Sequence, residues 1–270
     1  MANLPFKSSI TVTYIGTATA IIDIDGITFL TDPYFSPEGT EWDVGIATLT
    51  SHYEPALTLD QLPPIDVVLL SHEDHPDNLD ELSRNRLLDG RRVLTTIDGA
   101  SKLAPRPGVR GLRPWETTAL HVGGKRFDVT ATPCQHLPGG ECTGFLLTTA
   151  DFGATGGRPN AVYFSGDTVY LPELAPRVRD RFHVSLALLN LGAAAVVLPG
   201  ADRPLQITMD GAQAARLFRE LDADALVPLH FEAWDHFSQK GKQPVASAFE
   251  AQGISDKVYW LEPGKPRKVV

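Results

Sequence analysis

The chain has 270 residues, 43% hydrophobic and 21% charged, with a formal net charge of −9. That composition fits a globular protein with a large core, and the length alone allows one or two domains. The acidic balance argues against a nucleic-acid partner, and no apolar run is long enough to span a membrane.

The first third reads as β-structure. Ile10–Tyr14 alternates apolar and polar residues, and Ala20–Ile24 with Ile27–Leu30 flank Asp25-Gly26, a hairpin turn signal. Tyr34–Pro64 reads as irregular. A loop of that length in a compact protein usually serves function, and Tyr34, Trp42 and Tyr53 either wall a pocket or pack locally. His52, in the same segment, reads as a surface residue. From Ile65 the pattern changes to strands alternating with helices. Val67–Leu70 is a strand, and Leu79–Leu88 a helix with Asn78 as its cap. Arg92–Thr95 is a short strand, and Thr117–Val122 with Lys125–Thr132 form a hairpin across Gly123-Gly124. Gly144–Thr149, Ala161–Phe164 and Leu186–Asn190 are strands. Ala214, Leu217, Phe218 and Leu221 fall at helical spacing, with Thr208 or Asp210 as the cap. Leu226–Leu229 is a strand, Val245–Gln252 a helix and Val258–Leu261 the last strand. His121 and His183 read as surface residues.

Val67–Leu79 carries the chemistry. An apolar strand runs into His72, Glu73, Asp74, His75 and Asp77. Placing that many titratable groups at the end of a core strand is costly unless something satisfies them, and a divalent metal does so directly. Extended neighbours point oppositely, so only one of Glu73 and Asp74 is expected to face the ion. Three more strands repeat the design: one ends in Pro-Cys-Gln-His136, one in Ser-Gly-Asp167-Thr and one in Pro-Leu-His230. Ligands on rigid strand ends suit a preorganised site. They are spread from residue 72 to residue 230, so residues 1–270 are expected to form one domain. Cys134 and Cys142 are too few for a disulfide scaffold. Cys134 is expected to be a small buried residue beside the site. His236, next to Trp234 and Phe237, either lines the pocket or packs.

These motifs, in this order, resemble the metallo-β-lactamase superfamily. With Ile15-Gly16-Thr17-Ala18-Thr19 and Leu30-Thr31-Asp32-Pro33 upstream, they resemble its branch of ascorbate-phosphate lactonases and N-acylphosphatidylethanolamine phospholipases. The resemblance implies an α/β fold, a four-layer αβ/βα sandwich with the metal site at one edge of two sheets. It also implies His72, His136 and His230 as ligands and Asp167 as a carboxylate bridging two ions. The centre of the His-x-His-x-Asp-His signature departs from the family. Without a gap, Asp74 replaces the second histidine and Asp77 the last. With one inserted residue, His75 is the second histidine, Asp77 the aspartate and Asn78 replaces the last histidine. The inserted alignment is preferred because it keeps Leu79 at the helix start. Asp77 or Asp74 then orients the attacking water. Asp32 either holds a ligand histidine in place or forms an Asp-Pro turn.

The function expected from these residues is hydrolysis of an ester, lactone or phosphoester bond in a small molecule by metal-activated water. The cofactor is one or two divalent ions, zinc first, with manganese or iron as alternatives. A diiron-type oxidoreductase and a non-catalytic metal or ligand binder are the competing readings. The start of the chain carries no apolar signal core, which makes the cytoplasm the expected compartment. Substrate identity and oligomeric state are not encoded in these motifs.

Overall fold

The computed structural model describes residues 4–45, 48–232 and 234–270. Alternation in the first strand, Ile10–Gly16, buries Ile10, Val12 and Tyr14 and leaves Thr11 and Thr13 half-buried. The chain then turns back through Thr19–Ile24 and Ile27–Thr31. Asp25 (φ 53°) and Gly26 (φ 83°) both take the left-handed conformation that the tight turn between these strands requires.

Two seven-stranded sheets face each other. The first runs, in spatial order, Arg267–Lys268, Ile10–Gly16, Thr19–Ile24, Ile27–Thr31, Val67–Leu69, Arg92–Thr96 and Val109–Leu112. Its last four strands are parallel. The second runs Ala225–Leu229, His183–Asn190, Arg158–Phe164, Thr143–Thr149, Lys125–Pro133 and Thr117–Val122, with Ala154–Thr155 paired beside the path. Its first three strands are parallel. Strands buried on both faces need continuous apolar runs, and Ala225–Leu229 and the eight residues of His183–Asn190 are buried throughout.

Three apolar layers separate four structural ones. Between the sheets lie Val12, Ile22, Phe29, Phe127, Phe145 and Val227, among others, with Phe29 meeting Phe127 edge-on at 5.1 Å between ring centres. Outside the first sheet, Leu79, Leu87, Leu88 and Leu103 flank the short helices Glu81–Arg86 and Ile97–Lys102 and pack on Val68, Leu70 and Val93. Outside the second, the helices Leu174–Arg179, Gly211–Leu221 and Lys242–Ala251 bring Leu174, Leu217, Phe218 and Phe249 against Tyr163, Val184 and Leu226. This is the four-layer αβ/βα sandwich.

Several local expectations change. The helix after the histidine-rich loop starts at Glu81, capped by Asp80, whose carboxylate accepts the Ser83 N–H at 2.8 Å. Asn78 is not the cap, because its amide is used elsewhere. Of the two candidate caps for Gly211–Leu221, Asp210 does the work. Val258–Leu261 is not a strand. It makes one bridge to Leu226, and the chain then crosses to the edge of the first sheet, where Arg267–Lys268 pairs with Thr11 and Val12. Ile97–Lys102, Val109–Leu112 and Leu174–Arg179 escaped the sequence pattern because each is short and two contain Gly99 or Pro176. Tyr34–Pro64 is not wholly irregular: Glu41–Asp43 pairs with Thr48–Thr50, and Leu59–Gln61 forms a 3-10 turn. His121 is exposed, but His183 is buried and bonds to Asp224 at 2.7 Å.

Replacing Phe127 by alanine removes the ring that locks the two sheets together. The expected loss is about 3–5 kcal/mol of stability. Urea denaturation checks it, with the midpoint falling and the slope unchanged.

Candidate metal centre

The strand ends aim their side chains at one edge of the sandwich. Strand Val67–Leu69 ends at Leu70 and Ser71, where the Ser71 N–H and hydroxyl donate to the Asp32 carboxylate at 2.6 and 2.7 Å. Asp32 follows the neighbouring strand Ile27–Thr31 and is fully buried. The Ser71 oxygen lies 2.8 Å from His72 Nδ1, so with its own proton given to Asp32 it accepts from that nitrogen. His72 Nε2 is left with a lone pair. Among the described residues it has no hydrogen-bond partner, although it is buried.

His72, His75 and His136 surround one point, with ring centres 4.7–4.9 Å apart. His75 Nδ1 and His136 Nε2 face each other at 3.0 Å. His136 Nδ1 donates to the Ile207 carbonyl at 2.7 Å, which turns its other nitrogen inward.

A second cluster joins Asp77, Asp167 and His230. His230 Nε2 is 3.2 Å from Asp77 Oδ2 and 3.6 Å from Asp167 Oδ2, and its Nδ1 faces the Leu191 carbonyl at 3.2 Å. Asp167 Oδ1 accepts from Asn190 at 2.7 Å. Its Oδ2 has no hydrogen-bond partner and stands 4.0 Å from His136 Nε2, between the two clusters. The backbone turns left-handed where two of these candidate ligands leave their strands, with strain at His230. His230 sits at φ 57°, held by its N–H donating to the Thr17 carbonyl at 2.8 Å. Gly166, at φ 58°, turns the chain into Asp167, and a Cβ there would stand 2.4 Å from the Thr143 carbonyl oxygen.

The donor chemistry fits divalent ions. Burial, reinforced by the neighbouring imidazoles, holds His72 well below its ordinary pKa and brings His136 down to about 4, so both offer neutral nitrogen. Burial works against a charged His230, but Asp167 and the bond to Asp77 outweigh it and raise it to about 9, so its proton offsets the carboxylates until a cation that takes Nε2 displaces it. Burial and the nearby Asp167 push Asp32 up to about 8, against three donated hydrogen bonds. Repulsion between buried carboxylates is what a bound cation would cancel.

The remaining candidates fall elsewhere. Asp74 is exposed and belongs to neither cluster. Glu73 does not face the site either; it pairs with Arg84 at 2.9 Å and Lys102 at 3.0 Å. Asn78 donates to Asp32 at 3.0 Å. Cys134 and Cys142 are half-buried, their thiols against the Ser165 and Asp167 carbonyls. His52 is exposed and paired with Asp235. Tyr34, Trp42 and Trp234 pack together at 5.3–5.7 Å.

A cavity of about 420 Å³ opens beside His75 and Asp77. Leu49, Leu137, Val196 and Ile207 supply apolar wall, and His236 lines it, which the sequence left undecided. The short paired strands Glu41–Asp43/Thr48–Thr50 and Ala195–Val196/Leu205–Gln206 flank it.

The fold and the twin ligand clusters define a protein of the metallo-β-lactamase type. A family model described as a beta-lactamase superfamily domain matches residues 28–231, and the chain belongs to that superfamily. It is 24% identical, over 94% of its length, to a mitochondrial N-acyl-phosphatidylethanolamine-hydrolyzing phospholipase D of Saccharomyces cerevisiae, of which it spans 54%. It is 28% identical to a metal-dependent hydrolase of Listeria innocua, covering 76% of this chain and 82% of that one. The chain spans only about half to three-fifths of the first curated relatives it matches. Among solved structures, an isothiocyanate hydrolase from Delia radicum gut bacteria shares the fold with a TM-score of 0.75 at 21% identity, covering 95% of this chain and 98% of that one. CmlA, a diiron β-hydroxylase from Streptomyces venezuelae, matches with a TM-score of 0.63 at 19% identity, over 98% of this chain and 54% of that one.

Asp32→Ala removes the acceptor that fixes Ser71 and, through it, His72. Metal affinity is expected to fall about 10- to 100-fold. Competition with a fluorescent chelator measures it, and Asp74→Ala is the unaffected control.

Proposed function

We propose that the protein is a metal-dependent hydrolase that uses activated water on a small molecule. The observation that carries this reading is the pair of candidate ligand clusters, with Asp167 Oδ2 standing 4.0 Å from His136 Nε2 between them and His75 and Asp77 at the wall of the 420 Å³ cavity. His72, His75 and His136 would hold one ion, and Asp77, Asp167 and His230 the other. Three neutral imidazoles suit zinc, while two carboxylates and one imidazole accept zinc, manganese or iron. Bound ions would supply a water nucleophile at neutral pH and polarise the group under attack.

The chain's own residues do the rest. Asp77 lies at the cavity wall, where its carboxylate can orient water or take its proton. Asp74, exposed at the rim, is 3.4 Å from where a Cβ on Gly140 would stand, which supports a place at the entrance rather than at the reacting atoms. No Lys or Arg is among the described residues lining the cavity. That favours an uncharged ester or lactone with an apolar substituent over a phosphoester. Both sheets contribute ligands, so we read the chain as one catalytic unit. Among the described residues, no helix is long and apolar enough to cross a membrane.

The likeness to a diiron β-hydroxylase supports a second reading, an iron-dependent oxidation. Elemental analysis with an ester and lactone screen separates the two. Hydrolysis by the zinc-loaded protein supports the first. Oxygen uptake by the iron-loaded protein without hydrolysis overturns it.

Two variants test the ligand assignment. His75→Ala is expected to lose one ion and keep the other. Asp167→Ala is expected to lose both. Because bound ions supply several kcal/mol of charge stabilisation, hydrolysis in the Asp167 variant should fall on the order of 10³-fold. Metal per chain after dialysis is the readout, and equal loss in both variants would contradict the shared role of Asp167.

A further inference from the structure

The two ion sites account for His72 Nε2 and Asp167 Oδ2, buried atoms that otherwise lack partners. Among the polar side chains left over near the centre is His236, which lines the cavity. His236 has a side chain only 12% exposed, and its Nδ1 has no hydrogen-bond partner among the described residues. Its Nε2 stands 3.8 Å from Asp77 Oδ2, too far for a hydrogen bond. A buried imidazole nitrogen without a partner is costly, and neither nitrogen of this ring is tied to a protein side chain by a hydrogen bond among the described residues.

Its surroundings hold it in place. The His236 carbonyl accepts the Ala195 N–H at 3.1 Å, and Phe237 N–H donates to the Trp234 carbonyl at 3.3 Å. Phe237 lies against the imidazole at 4.8 Å between ring centres, and Trp234 at 6.0 Å. The Trp234 indole N–H is itself tied to Thr17 at 3.3 Å. The ring therefore faces the cavity beside Asp77 and His75 as a fixed group. It does not belong to the tight triad of Asp77, Asp167 and His230.

We infer that His236 is a further catalytic residue, a hydrogen-bond donor to the substrate oxygen on which negative charge develops. This rests on the hydrolase reading above. The side chain is neither a ligand nor core packing. A donor preset in a partly dry wall, aimed at the place where charge develops, acts without reorganisation during the reaction. The other polar groups of that wall do not fill this role. His75 and Asp77 belong to the ion clusters, and Asp74 is exposed at the rim.

The test compares the zinc-loaded wild type with His236→Ala and His236→Gln, the second keeping an N–H donor. Three quantities are read: zinc per chain, turnover of p-nitrophenyl butyrate, and affinity for phenylphosphonate, a tetrahedral anion, by calorimetry. The alanine variant should keep its zinc and lose about 10²–10³-fold in kcat, with KM changed far less. It should bind phenylphosphonate at least tenfold more weakly, and glutamine should recover part of both losses. Loss of one zinc from His236→Ala makes the residue a ligand and overturns the inference. So does kcat within twofold of the wild type. If the wild type hydrolyses no ester, the hydrolase reading fails, and the phosphonate measurement still decides the donor. Equal affinity in wild type and alanine variant, including no binding by either, overturns it.

Discussion

The whole arrangement depends on the burial of three carboxyl groups at one edge of the sandwich. Asp32, Asp77 and Asp167 are 0%, 3% and 0% exposed, and all three lie around the same strand ends. Carboxylates removed from water repel one another and lose hydration, so the folded state must supply compensating donors or cations. Part of that compensation is visible. Asp32 accepts three hydrogen bonds, Asn190 donates to Asp167, and His230 stands beside both Asp77 and Asp167. What hydrogen bonds leave over, above all Asp167 Oδ2 and His72 Nε2, is matched to positive ions.

The fold solves a delivery problem. Ligands far apart in sequence must meet within a few ångströms, and loops alone would hold them loosely. Here each candidate ligand leaves a buried strand within a few residues of its end: His72 after Val67–Leu69, His136 after Lys125–Pro133, Asp167 after Arg158–Phe164 and His230 after Ala225–Leu229. Backbone strain at His230 is tolerated because the core on either side leaves the chain no alternative path, whereas Gly166 takes its left-handed turn without strain. The imidazoles are then oriented from behind, His136 by the Ile207 carbonyl and His72 through Ser71 and Asp32. The geometry of the candidate centre is thus tied to the packing of both sheets.

The cavity has a different origin. It is walled by two short strand pairs outside the main sheets, and an aromatic group of Tyr34, Trp42 and Trp234 braces one side. Such additions can vary without disturbing the metal centre. The chain's relatives include a phospholipase and metal-dependent hydrolases, and its fold is shared with an isothiocyanate hydrolase and a diiron β-hydroxylase.

The sequence by itself carried the strands and the candidate ligands at their ends, and the sandwich followed from the resemblance of those motifs to a known superfamily. Apolar strands running into His72, His136, Asp167 and His230 carry both period and chemistry locally, and the Asp25-Gly26 turn is a local backbone requirement. The inserted reading of the signature also had a local cue, the position of Leu79, and the structure does set His75 with His72 and His136 while leaving Asp74 exposed. Other features were decided by tertiary structure, because they depend on partners distant in sequence. Asn78 leaves the helix cap to Asp80 since Asp32, 46 residues away, takes its amide. Val258–Leu261 has strand composition, but the chain there leaves the second sheet for the edge of the first. His183 is buried because Asp224 satisfies it. His236 is an ordinary histidine in sequence; only the packing of Trp234, Phe237 and the strand at Ala195 turns it toward Asp77. Periodicity reports which face of an element is buried, whereas the partner of a buried polar group is set by the meeting of segments that no local pattern connects.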